Sequence, residues 1–292
     1  MQTANITKLK SKIASLAAVV TLAVSGGGIA TIALSGVAQA AAPNATQGSV
    51  TQFTPDVVNG MTVDRSAPSG GYSSTNFGGR SNVLEMNIDS SKRSTVDPFY
   101  YTEGLQQALT SATSAKADVY IPSSWLNGTK VRAGMWGVGN DSDGNILAYP
   151  IVEFTTSGDN GYVGWRTFND DAGGWVNLPK IPYNTNGWNT VGFALNPTTT
   201  KFDFTINGKP AGSSFSTGST NLSGLIFNSY NYGPDNANYS VHWSNLVTGP
   251  GKPVVADKDT CKDGGWSTLT MNNGATFKNQ GDCVSYFASN KH

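Results

Sequence analysis

Apolar and polar residues alternate most plainly in Lys201-Phe202-Asp203-Phe204-Thr205-Ile206, where the two rings and Ile206 share one face and Lys201, Asp203 and Thr205 the other. Period two is the signature of a half-buried strand, and Asn207-Gly208 then supplies the positive-φ residues of a tight hairpin turn. From Asp56 to Val247 short runs of this kind are separated by Gly, Asn, Asp and Pro clusters, the punctuation of an all-β sandwich or barrel. Further strands are expected over 83–89, 116–121, 130–138, 146–154, 162–168, 173–178, 187–195, 224–229 and 239–247. The one helix-like stretch is Glu103 to Ala115, with Leu105 and Leu109 four apart; it reads as a loop carrying one or two helical turns. With no βαβ spacing, this set predicts two antiparallel sheets packed face to face.

The first forty residues differ from the rest. Met1 to Lys12 is short and basic, and Ile13 to Ala42 carries no charge and contains Ala38-Gln39-Ala40. This order of basic, apolar and small-residue regions matches a secretory signal cut after Ala40; a retained membrane anchor is the alternative, since the stretch is long enough to span. Residues 41–55, rich in Thr, Gln and Pro, read as a disordered lead-in to a sandwich over 56–248. Gly249-Pro250-Gly251-Lys252-Pro253 opens a linker over 249–256, and 257–292 forms a separate tail. Cys261 and Cys283 are the only cysteines. An even count in an exported chain points to a disulfide, worth on the order of 3 kcal/mol by loop closure. Two metal ligands are the other reading, but the only histidines, His242 and His292, do not complete a set.

Charge removes other classes. Charged residues are 13% of the chain, too few for coiled coils or charged tails. Without Lys8, Lys10 and Lys12 of the leader, 16 basic residues face 19 acidic ones, a net charge of −3. Such a surface has no electrostatic grip on nucleic acid or anionic lipid, so no nucleic-acid partner and no membrane insertion after cleavage are expected. No Gly-x-Ser-x-Gly, Walker loop, dinucleotide fingerprint or His-Glu-x-x-His occurs, which sets aside serine hydrolases, NTPases, dinucleotide enzymes and zincins.

The order Ala117-Asp118-Val119-Tyr120-Ile121-Pro122, Arg132-Ala133-Gly134-Met135-Trp136-Gly137, Tyr149-Pro150-Ile151-Val152-Glu153-Phe154, Gly174-Trp175-Val176-Asn177-Leu178 and Trp188-Asn189-Thr190-Val191 resembles bacterial secreted domains of the concanavalin A-like lectin/glucanase superfamily. The resemblance covers about residues 56–248 and implies a jelly roll with a concave face that takes a glycan, closed by a last strand, Tyr239 to Val247, pairing with the first. The tail, Cys261-Lys262-Asp263-Gly264-Gly265-Trp266 followed by Phe277-Lys278-Asn279-Gln280-Gly281-Asp282-Cys283, is similar to a short module at the C-termini of exported bacterial proteins. Its terminal position together with that similarity motivates an attachment or sorting element, with a staple protecting the chain end as the alternative.

Glycoside hydrolysis needs two carboxyl groups on either side of the scissile bond. Glucanases of the superfamily carry Glu-x-Asp-x-x-Glu on one strand, whereas this chain reads Ile151-Val152-Glu153-Phe154-Thr155-Thr156 and has only Glu85, Glu103 and Glu153. By alternation Glu153 shares a face with Tyr149 and Ile151, where burial would raise its pKa; the plainer reading pairs it with Arg132 or Arg166. A lyase would need a base and a neutralising cation, for which Arg132, Tyr149, Tyr162 and Arg166 are available. Sugar binding needs aromatic planes and fixed polar groups. Alternation puts Trp136 with Arg132 and Gly134 on a wet face and Trp165 in the core; Asn228 to Tyr232 and Asn169 to Asp171 supply amides. Asp141, Asp143 and Asn145 make a weak calcium candidate, with a solvated hairpin turn the plainer reading and no other cofactor expected. The expectation is an exported, noncatalytic protein binding a polysaccharide or cell-surface glycan through Trp136, Arg132, Tyr149, Glu153 and Arg166. The alternatives are a polysaccharide hydrolase or lyase working through Glu153, Arg132 and Tyr149, and a structural envelope protein.

Overall fold

The computed structural model describes residues 49–249 apart from 170, 171, 197, 198, 216 and 217, and in the tail 258, 261, 262, 266 and 277–288. The signal segment and the linker lie outside these residues. Sixteen strands form two eight-stranded antiparallel sheets. The first contains β1 (Ser49–Thr51), β3 (Tyr72–Phe77), β4 (Arg80–Ile88), β6 (Ser114–Ile121), β12 (Gly187–Asn196), β13 (Lys201–Ile206), β14 (Lys209–Phe215) and β16 (Tyr239–Gly249). Its order is β14-β13-β12-β6-β16-β4-β3, with β1 also on β16. The second holds β2 (Thr62–Arg65), β5 (Thr102–Ala112), β7 (Arg132–Asn140), β8 (Ile146–Ala148), β9 (Ile151–Thr155), β10 (Gly164–Asn169), β11 (Gly174–Asn177) and β15 (Asn221–Tyr230). Its order is β11-β10-β9-β7-β15-β5-β2, with β8 on β7.

Period two does the sorting. Phe202, Phe204 and Ile206 all enter the core from β13, beside Val191 and Phe193 of β12, and Val241 and Trp243 of β16 join the same core farther along the sheet. The other sheet answers with Met135, Val152, Phe154, Trp165, Leu225 and Phe227. Phe227 and Trp243 come within 5.0 Å of each other, ring centre to ring centre, so the two sheets share one interior. At the β13–β14 hairpin Asn207 (φ 50°) and Gly208 (φ 74°) take the left-handed values that a two-residue turn requires, as the Asn-Gly pair predicts.

Three expectations are corrected. Residues 103–112 are no helical loop: β5 is an eleven-residue central strand between β15 and β2. A spacing of four between Leu105 and Leu109 suits a helix face, but it is also two strand repeats, and both leucines pack on the core. The lead-in is ordered from Ser49: β1 pairs with β16, and Phe53 is fully buried against Phe227. One aromatic ring outweighs the polar composition around it, because burying it removes a large apolar surface from water. The strand expected over 146–154 is broken into β8 and β9 at Tyr149-Pro150, since proline has no N–H for the ladder.

Thr54 caps the short helix α1 (Pro55–Asn59), its hydroxyl accepting from Val57 N. The longer helix, α2 (Gln280–Ala288), lies in the tail, where no helix was expected. Asn279 caps it by accepting from Asp282 N at 2.9 Å, and the Asp282 carboxylate accepts from Lys278 N at 3.1 Å. This reciprocal capping accounts for the Lys-Asn-Gln-Gly-Asp order ahead of Cys283. Cys283 bonds to Cys261, and with Phe277 they form a small cluster against which Trp266, Tyr286 and Phe287 pack. No helix among the described residues is long and apolar enough to cross a membrane.

Candidate functional site

On the second sheet, residues that do not enter the core line one outer face. The pairings Arg132↔Thr155, Gly134↔Glu153 and Trp136↔Ile151 between β7 and β9 put all six on it. The pairings Arg166↔Glu153 and Phe168↔Ile151, then Phe168↔Trp175, extend it to β11. Asn228 and Ile226 of β15, then Gly104 and Gln106 of β5, continue it the other way. Trp136, Arg132, Glu153 and Arg166 therefore lie on one outer face, and Trp165 is in the core.

Glu153 is 1% exposed and Arg166 2%, so neither charge is solvated. The guanidinium meets this by donating from Nε (2.7 Å) and Nη2 (2.5 Å) to Glu153 Oε1. Arg132 Nε stands 3.8 Å from the same oxygen, within ion-pair range but beyond a hydrogen bond. Each cation of the face also rests on a ring: Arg166 on Trp175 (4.0 Å), Arg132 on Tyr230 (4.6 Å), and Arg65 on Trp136 (4.4 Å). Arg65 was not legible in the sequence. It ends β2 with φ 59° and donates to the carboxylate of Asp64, its neighbour.

At the centre of the face Gly134 leaves room for the Asn228 amide and the Trp136 indole to close over the backbone. A Cβ there would stand 2.9 Å from Asn228 Oδ1, 3.2 Å from its Nδ2 and 3.2 Å from Trp136 Nε1. Arg132 Nε, Trp136 Nε1, Asn228 Nδ2 and the Tyr232 hydroxyl are buried with no hydrogen-bond partner among the described residues. Three of the four are N–H donors, and leaving each unpaired costs about 1–3 kcal/mol. Gly104 does the same service on the far side of Asn228, where an added Cβ would lie 2.9 Å from Phe227 O and 3.2 Å from Asn228 Cβ. Because the first of these is backbone, Gly104→Ala is expected to cost about 1–3 kcal/mol, read by urea unfolding; an unchanged midpoint would show that the two strands can separate freely.

Tyr149 adjoins this face beside Asp64 and Arg65, and the remaining sequence candidates fall elsewhere. Tyr149 sits at the Pro150 break, its phenol pushed up to about 12 by burial and by the nearby Asp64. Tyr162 donates its hydroxyl to Trp165 O and accepts from Leu178 N, a role within the scaffold. Asp141 accepts from Asp143 N, Asn145 N and Asn145 Nδ2, so both its oxygens hold the β7–β8 turn together. No group of three metal-ligating side chains converges among the described residues. Asp170 and Asp171 lie outside them.

No protein-family model matches the chain, and no curated protein matches it. Solved structures with a similar course of chain include a sialidase, at 14% identity and a TM-score of 0.46 over 75% of this chain. This chain spans only 19% of that protein's length. A glycoside hydrolase family 16 endo-glucanase from Bacteroides ovatus is similar at 11% identity and 0.43, covering 64% of this chain and 94% of that one. The Emp46p carbohydrate recognition domain is similar at 10% and 0.44, covering 72% and 100%. None supplies a residue-by-residue correspondence, so the chemistry rests on the face itself.

Proposed function

We propose that this is an exported glycan-binding protein that holds its ligand on the outer face of the second sheet without cleaving it. The carrying observation is the set of buried donors without a hydrogen-bond partner among the described residues, Arg132 Nε, Trp136 Nε1 and Asn228 Nδ2, gathered around Gly134. Donors without acceptors ask for an oxygen-rich ligand, and the partly exposed rings of Trp175, Phe168 and Tyr230, each with one side taken by an arginine or a neighbouring ring, leave their remaining surface for the apolar faces of sugars. Arg65, Arg132 and Arg166 against Asp64 and Glu153 leave one positive charge in excess, which favours a uronic acid or sulfated sugar over a neutral one.

Two features support binding over cleavage. Glu153 Oε1 is committed to Arg166, and the other carboxylate on the described strand positions of this face, Asp64, is committed to Arg65. Neither is an acid free to exchange protons with a glycosidic oxygen. A lyase base needs a pKa near neutrality, while Tyr149 is pushed the other way.

The test is retention on immobilised alginate, pectate, sulfated galactan and neutral glucan, with assays for reducing ends and unsaturated uronate. Retention on an acidic polymer without product is expected, weakened about tenfold or more by Trp136→Ala and by Asn228→Ala, as loss of a central anchor should give. Product formation abolished by Glu153→Gln would replace this reading with an enzyme. Absence of binding across a broad glycan array would replace it with a structural role in the envelope.

A further inference from the structure

The opposite outer face carries groups that the site above does not use. There β16 sets His242 across from Glu85 of β4, with imidazole Nε2 3.1 Å from Glu85 Oε1. An ionised carboxylate only accepts, so Nε2 holds the proton and Nδ1 presents a lone pair. The side chain is 7% exposed, and Nδ1 has no partner among the described residues. Burial pulls the imidazole pKa below its ordinary value, with Glu85 opposing, so the ring is neutral at pH 7.

Phe77 lies flat on the imidazole, centres 3.6 Å apart and planes 6° from parallel. It also meets the partly exposed rings of Tyr120 and Trp188 edge-on, at 5.0 and 6.5 Å. His242 and Phe77 line a cavity of about 510 Å³ completed by the turn at Ser124 and Trp125 and by Ala237 to Ser240. A second hollow of about 350 Å³, reaching Asn87, Asp89 and Lys92, shares Asn238, Tyr239 and Ser240 with the first. The two adjoin, one walled by rings and the other by hydrogen-bonding groups. Both are within the size range of small-ligand sites. Lys92 pairs with Asp89 at 2.9 Å, while Glu85 faces a neutral ring, so the local charge is one negative in excess.

We propose that this double hollow is a second carbohydrate site, taking a short neutral oligosaccharide with one sugar ring against the Phe77 edge and a sugar hydroxyl donating to His242 Nδ1. The lone pair calls for a donor rather than an anion, the excess negative charge of Glu85 disfavours an acidic sugar, and the rings supply the apolar contact that a pyranose uses. The chain would then hold chemically different glycans on its two outer faces, which suits a protein that bridges polymers.

The chain has two histidines, so ¹⁵N-histidine labelling of the full-length protein gives an interpretable readout. The probes are methyl glycosides of glucose, mannose, galactose and N-acetylglucosamine, and their β-linked disaccharides. A saturable shift of the His242 Nδ1 resonance is expected with at least one probe, larger for the disaccharide. It should vanish in Ala237→Trp, which fills the mouth from an exposed position, and persist in Trp136→Ala. Retained folding of Ala237→Trp is checked by its unfolding midpoint, and Phe77→Ala provides a second variant in which the shift should be lost. No shift with any probe, a shift that survives in Ala237→Trp, or one lost only in Trp136→Ala would overturn the second site. The first two outcomes leave the acidic-glycan reading of the other sheet intact.

Discussion

Glu153→Ala is expected to destabilise the protein by about 3–5 kcal/mol, the range found when one partner of a buried ion pair is removed. The size follows from what is left behind. Arg166 is 2% exposed and, beyond its contact with Trp175, neutralises its charge through two hydrogen bonds to one Glu153 oxygen. Without the carboxylate, a guanidinium that cannot shed its proton remains in a site with little water, and Arg132 loses the counter-charge 3.8 Å away. The double variant Glu153→Leu with Arg166→Leu should recover most of the loss, because it removes both desolvation penalties and keeps the volume apolar. Urea unfolding of the two variants at pH 7 measures this. A loss under about 1 kcal/mol for Glu153→Ala would show that the pair is not structural, and would reopen a catalytic assignment for the acid.

Cys283→Ser is expected to unfold the tail while leaving the sandwich's unfolding midpoint unchanged. The helix Gln280–Ala288 has nine residues, below the roughly 12–15 at which isolated helices become even marginal. Among the described residues its buried cluster is Cys261, Phe277 and Cys283, too few to make a core by themselves. Capping by Asn279 and Asp282 survives the substitution but contributes only about 1–2 kcal/mol. What holds Cys261 against the helix is the bond itself, with Trp266 N donating to Cys261 O beside it. Amide exchange over 280–288 should collapse to the rates of an unstructured chain. Protection that persists after the substitution would mean that packing, and not the bridge, builds this segment.

Much of the sandwich was legible in one dimension. Alternation in 201–206 and the Asn207-Gly208 turn are local physics: a pleated strand shows successive side chains to opposite faces, and only certain residues accept positive φ. The same rule separated Trp136 from Trp165, and the pairings of β7, β9 and β10, which carry no bulge, bring Arg132, Glu153 and Arg166 onto one face. A spacing of four, by contrast, satisfies helix and strand alike, so Leu105 and Leu109 could not reveal β5 until β15 and β2 offered ladder partners. Only the tertiary structure decided which arginine Glu153 takes, that Arg65 turns onto Trp136, that Asn228 closes over Gly134, and that Glu85 meets His242. These contacts join residues 13 to 157 positions apart, with Arg65 and Trp136 71 apart. The sequence sets which face a side chain occupies, whereas the order of strands across the sheet sets its neighbours, and that order is fixed by the packing of the whole core.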